Sequence, residues 1–414
     1  MKIYKIIFYL VVYSTVLFSQ SSSTYTRYGI GDINYTYSAR SLGIAQTGVA
    51  TLNQGFVELL NPASWASLQL TRIEFSLVLN GVQLSDNSNS ALYTDGEFKG
   101  FTFAFPISKK LGIGFASGLL PYSRISYNVV QTNTTDETLS RNYTETYEGD
   151  GGLSRLFMGA SVNIPFDWVF GATLEYYFGK RTYSSAINFD DQTFLPSEYE
   201  LDYRSTGFGT TVGLISQNFA GLFNSESISN LRIGVSVNLL SDLDTDTSLT
   251  INPTNVADTI YSGKTQMSVP MRITAGLSLQ LSEVYSFNLD YIYQPWSQYS
   301  VAGVTSSFLR DVNKIGFGFE YSPLRSIGRN TWELIKWRAG VSYEQTQYII
   351  NGTGINQISI FGGLTFPLGF SDALDLGLEF SQRGTLKANL IEENFFRINI
   401  GISFGELWFQ RVEK

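Results

Sequence analysis

Histidine and cysteine are both absent from the 414 residues. Without imidazole there is no Ser–His or Cys–His nucleophile pair, and the commonest transition-metal ligand is missing. Without thiols no disulfide can staple the fold. Carboxylates remain, but no two are singled out by spacing for acid–base work. The adjacent Asp190 and Asp191 lie in a polar stretch and read as solvated charge. Phosphate-cradling loops, zinc spacings and EF-hand loops are missing too. The sequence therefore predicts no catalytic residue, no metal site and no cofactor. A net charge of -8 and a pI near 4.8 argue against a nucleic-acid partner.

The charged residues that do stand out share one property: they alternate with apolar ones. Arg72 and Glu74 alternate with Ile73, Phe75, Leu77 and Leu79; Arg338 and Glu344 alternate with Trp337, Ala339, Val341 and Tyr343. Glu175, Asp290, Asp375 and Glu379 occupy equivalent places. Side chains alternate faces along a strand, so each such strand has one apolar and one polar face. Two roles stay open for the charges. They brace a wall as hydrated ion pairs, or Arg72 or Arg338 engages a ligand carboxylate.

The elements that position these charges recur along the chain. The segment Arg397-Ile398-Asn399-Ile400-Gly401-Ile402-Ser403-Phe404 puts Arg, Asn, Gly and Ser on the face that a soluble sandwich would fill with Leu and Val. That inversion predicts an all-β chain whose apolar face meets lipid: a transmembrane antiparallel barrel in the outer membrane. Following the alternation from residue 71 to the C-terminus gives about 14 strands, an even number as single-chain bacterial barrels require. Connections alternate between short (near 106–110, 164–168, 281–283 and 367–372) and long polar ones (near 84–96, 131–150, 188–200, 241–262 and 294–311). Two short-side connections, 217–230 and 323–331, are longer than usual. A soluble β-sandwich or propeller is the competing architecture, and no blade-length repeat supports it.

The beginning of the chain departs from this pattern. Lys2 and Lys5 precede an apolar stretch from Ile6 to Phe18, which reads as a signal peptide over 1–19. Residues 20–70 carry no alternation and are expected to form a hatch or plug ahead of the barrel at 71–414. This segment holds Ala39-Arg40-Ser41-Leu42-Gly43, Gly48-Val49-Ala50 and Asn61-Pro62-Ala63. In that order, before a string of amphipathic strands, these elements resemble the long-chain fatty acid transporter family of FadL/TodX type.

The resemblance implies a 14-stranded outer membrane barrel with an N-terminal hatch, passing hydrophobic or amphipathic small molecules by diffusion. It implies hatch or ligand roles for Arg40, Gly43, Asn61, Pro62 and Ala63. The bland alternative is that Asn61 to Ala63 only end a turn and cap the barrel floor. It also implies a lateral opening at a kinked third strand, where this chain has Gly118 and Pro121 within 111–130. Proline cannot donate a ladder hydrogen bond, so it marks a break or a harmless bulge. Lumen charges under the same reading are Arg72, Glu74, Arg338 and Glu344. Partners are outer membrane lipid and hydrophobic small molecules. Barrels resembling this family also act as partner subunits of a secretion complex of type IX type, which stands as the alternative function.

Overall fold

The structure, a computed structural model, describes residues 23–133, 142–190, 195–223, 227–252, 258–324, 330–369 and 371–407. The expected signal peptide and Asp191 lie outside these residues. Among the described residues, one short helix, α1 (Ala39–Gly43), and twenty-one strands follow in order. They are β1 (Asp32–Ile33), β2 (Thr71–Ser85), β3 (Ser90–Ser108), β4 (Ile113–Pro121), β5 (Ser123–Asn133), β6 (Tyr143–Gly151), β7 (Ser154–Ile164), β8 (Trp168–Phe189), β9 (Ser197–Ile215), β10 (Ile228–Leu240) and β11 (Leu243–Asn252). Then come β12 (Asp258–Ser268), β13 (Arg272–Leu281), β14 (Tyr285–Gln294), β15 (Ser300–Val301), β16 (Val304–Thr305), β17 (Val312–Tyr321), β18 (Lys336–Ile350), β19 (Thr353–Pro367), β20 (Ala373–Gly384) and β21 (Glu392–Glu406).

Antiparallel pairing runs from each wall strand to the next, and β21 pairs with β2 from Thr71↔Glu406 to Ser85↔Glu392. The sheet thereby closes on itself as a barrel of 14 strands, the number expected from the alternation. Closure leaves the wall without a free edge strand except where β3 rises past the end of β4. The inverted pattern holds in three dimensions. Phe75, Leu77 and Leu79 are about 40% exposed, whereas Arg72, Glu74 and Ser76 are buried inside.

Four of the wall strands are broken near one level: β4/β5 at Tyr122, β6/β7 at Gly152–Leu153, β10/β11 at Ser241–Asp242, and β12/β13 at Val269–Met271. The sequence expectation of one strand over 111–130 is corrected accordingly. Gly151 and Gly152 make the second break possible: both have positive φ, and a Cβ on either would lie 2.1 Å from a neighbouring carbonyl oxygen.

Above the breaks, β5, β6, β8, β9, β11 and β12 continue as a tall sheet. At 22 residues β8 is about 70 Å long, where a tilted spanning strand needs only about 9–11 residues. Much of what the sequence suggested were long polar loops is strand here: β11 and the first part of β12 lie within 241–262. Strands that are mostly polar on both faces carry no apolar stripe, so their alternation is invisible.

Candidate functional site

The leading segment, from Ser23 to Leu70, packs against inward-facing side chains of the wall. Tyr37, Val57, Trp65 and Leu68 form one buried cluster with Ala104, Ala116, Leu120 and Phe157. Tyr25 and Ile30 join a second, at the level of the breaks, with Tyr122, Leu153, Tyr177, Trp296 and Tyr348.

Its polar anchors run the height of the barrel. Near the tall-sheet end, Arg383 meets Asp32 at 2.9 Å and Glu393 at 2.7 Å, and Glu393 also accepts from the Ser23 hydroxyl and the Thr24 N–H. In the middle, Asp290 accepts from the backbone N–H groups of Gly48 and Val49 at 2.7 and 2.9 Å. Glu74 accepts from the Val57 N–H and the Tyr37 hydroxyl, both at 3.0 Å. Glu344 accepts from the Tyr35 hydroxyl at 3.1 Å and faces Lys314 at 3.4 Å.

Helix α1 is capped by Ser38, whose hydroxyl accepts from the Ser41 N–H at 3.1 Å. It brings Arg40 to Glu320 at 2.9 Å, and Arg338 reaches the same carboxylate at 2.6 Å. Gly43 lets the helix touch the wall, because a Cβ there would lie 2.9 Å from Gly363 Cα. Asn61 is wholly buried and starts the turn Pro62–Ser67: its Oδ1 accepts from the Ala63 N–H at 3.0 Å and its Nδ2 donates to Val49 O at 2.8 Å. Nδ2 also lies 3.3 Å from the wall carbonyls of Leu214 and Val235. The wall accepts this turn on glycines, since a Cβ at Gly213 would sit 1.8 Å from Asn61 Oδ1 and one at Gly171 would sit 2.4 Å from the Pro62 carbonyl carbon.

Glu58 is buried in this same segment, outside the spanning strands. Its Oε1 accepts from Leu59 and Leu60 N–H groups at 3.0 and 3.1 Å. Burial pushes its carboxyl up to about 7, against the opposing pull of those N–H groups and of Arg40.

Arg40 and Arg338 thus share one carboxylate, while Arg72 sits apart near the short turns, donating to the Ser371 carbonyl at 2.9 Å. Gly118 and Pro121 lie on β4, in another part of the wall. There β4 pairs with β3 only from Phe101↔Leu119 to Ser108↔Ile113. Above that point β3 pairs with β2, β5 pairs with β6, and no ladder joins β3 to β5 among the described residues. Strand β1 hydrogen-bonds to β5 from inside instead, at Asp32↔Arg124 and Ile33↔Ser123. Side chains span the interruption: Arg124 meets Asp95 at 2.8 Å and Glu97 at 3.0 Å, and Lys99 meets Glu97 and Asn34 at 2.8 Å.

A cavity of about 120 Å³ lies behind it, lined by Asp95, Glu97, Lys99, Arg124, Lys314 and Arg397 among others. Sequence reasoning did not single out Glu58, Asp95, Arg124, Glu320, Arg383 or Glu393. Only Glu320 and Arg383 extend a visible alternation. The others sit in stretches whose apolar period has lapsed.

A family profile described as BamG matches residues 1–413. The chain belongs to the BamG family. Solved structures resemble this BamG-family barrel along nearly their whole length. The CymD monoaromatic hydrocarbon channel shares 16% identity at a TM-score of 0.58, with 92% of this chain and 100% of that chain covered. The Ralstonia pickettii toluene transporter TbuX shares 15% at 0.60, covering 90% and 99%. The P. putida toluene transporter TodX shares 13% at 0.58, covering 92% and 100%. At these identities the likeness establishes the fold, which is that of FadL/TodX-type barrels. A search of curated proteins gives no match.

Proposed function

We propose that this BamG-family chain is an outer membrane transport protein that passes hydrophobic or amphipathic small molecules by diffusion, with residues 20–70 as its hatch. The observation that carries the reading is the interrupted wall. The ladder between β3 and β4 stops at Phe101↔Leu119, Pro121 follows, and a cavity lies behind the interruption. A molecule dissolved in the outer leaflet would reach the lumen sideways, without crossing the polar extracellular surface. Fold-level likeness to hydrocarbon and toluene channels supports this use of the barrel. Charged residues around the cavity favour amphipathic cargo with a polar group over a bare hydrocarbon. The short turns and both ends of the barrel then face the periplasm, and the tall sheet stands outside the cell.

Uptake of a radiolabelled amphipath into cells carrying the chain, against cells carrying Pro121→Val, tests this. Restoring an N–H at the top of β4 is expected to lower uptake severalfold; equal uptake at equal surface abundance would refute side access.

Two observations favour the alternative, a barrel subunit of a larger outer membrane secretion complex. The segment is tied to the wall at several heights by buried ion pairs and hydrogen bonds. The cavity of about 120 Å³ is smaller than the few hundred Å³ common for small-molecule sites. Recovery from membranes in a stoichiometric complex would favour that role; isolation alone, with lipid-like density in the barrel, would favour transport.

A further inference from the structure

A second cavity, of about 350 Å³, opens at the short-turn end between the loop Asn53–Phe56 and the ends of the wall strands. Four cations line it: Arg40, Arg72, Lys336 and Arg338. Three carboxylates accompany them, two of which are ion-paired. Glu320 lies between Arg40 and Arg338. Asp375 is 3.4 Å from Arg338 and also accepts from the Thr365 hydroxyl. Asp372 accepts from the Gly405 N–H at 3.1 Å.

One donor is left over at the cavity. Arg40 is 6% exposed, and its Nη1, without a hydrogen-bond partner among the described residues, is closed off from the cavity, so it adds charge there but no donor. Lys336, half-buried in the cavity lining, makes neither a hydrogen bond nor an ion pair among those residues.

A half-buried ammonium without a hydrogen-bond partner is unfavourable unless something supplies an acceptor. The Arg40 guanidinium is also fixed in place. Its carbon lies 3.3 Å from the centre of the Phe56 ring, and one edge is taken by Glu320. That fixed guanidinium lends positive charge, and a nearby ammonium with free donors suits an oxyanion. The space exceeds that of a bare ion and falls within the range of small-molecule sites.

We propose that this vestibule binds a phosphate or carboxylate group carried on a small molecule or a lipid head, with Lys336 Nζ donating to it and the arginines of the lining adding positive charge. This deepens the transport reading by placing an anionic group at the periplasmic mouth. It rests on that reading only for which side the mouth faces.

The test uses the full-length protein in maltoside micelles. Calorimetric titration with inorganic phosphate, and separately with acetate, is compared with chloride at matched ionic strength. Saturable binding of either oxyanion is expected, weakened about tenfold in Lys336→Gln and restored in Lys336→Arg. Titrations that match chloride, or a Lys336→Gln protein that binds like the wild type, would overturn the proposal. Glycerol phosphate and a short-chain phosphatidic acid separate the two sources. Binding of the first points to a soluble ligand, and binding of the second alone points to a lipid head. Because the titration needs no transport, failed uptake in cells would leave its outcome unchanged.

Discussion

Arg383 holds two carboxylates, Asp32 in the leading segment and Glu393 in the wall, while itself only 3% exposed. Arg383→Met would leave Glu393 fully buried without its cation, at a cost of about 3–5 kcal/mol. Urea unfolding in detergent should show that loss, and the double variant Arg383→Met/Glu393→Gln should recover part of it. No recovery would mean that the ion pair is not what holds the segment. Glu58 predicts a pH dependence. Its folded pKa near 7 lies above the usual carboxyl value, so the folded state binds the extra proton and stability falls as pH rises from about 4.5 to about 7. In Glu58→Gln that slope should be shallower; an unchanged slope would assign it to other groups. Arg338 and Glu344 could be read as inward-facing because they keep step with a stripe. Glu58 could not, because it sits in a stretch without period and bonds to the amides of its own neighbours.

At the scale of elements, small residues in the wall mark where the leading segment touches it. Alternation put glycines on the inner face, but it could not say that Gly171 and Gly213 receive the Pro62–Ser67 turn, because that contact joins residues far apart in sequence. Gly213→Val would drive a side chain into Asn61 and should cost about 1–3 kcal/mol by overpacking. Limited proteolysis in micelles should then cut within 53–67 faster than in the wild type. Gly221→Ala, where a Cβ meets nothing within 4 Å, is the control and should be cut at the wild-type rate. Equal cutting in all three proteins would mean that the turn does not need its seat. Strand legibility followed the solvent. Strands with an apolar outer face showed their stripe, whereas β11 and the start of β12 resembled loops because both of their faces are mostly polar.

For the whole molecule, closure followed from an even strand count and a matched first and last strand, both readable in advance. How the barrel sits in its surroundings depends on the short-turn end, where Phe166, Leu222 and Trp332 are each more than 70% exposed. They belong to three different connections, so they mark either the depth of the lipid headgroups all round or a surface kept for a protein partner. An aromatic girdle is the expectation for an isolated transport barrel. Trp332 reports which it is. In vesicles of lipids brominated near the headgroup, the wild-type protein should lose more tryptophan fluorescence than Trp332→Phe loses, because an interfacial indole meets bromine. Equal fractional losses would put Trp332 in water, where a large exposed indole is unfavourable without a partner. The subunit reading would then gain over transport, and the protein should be sought in a complex through this face.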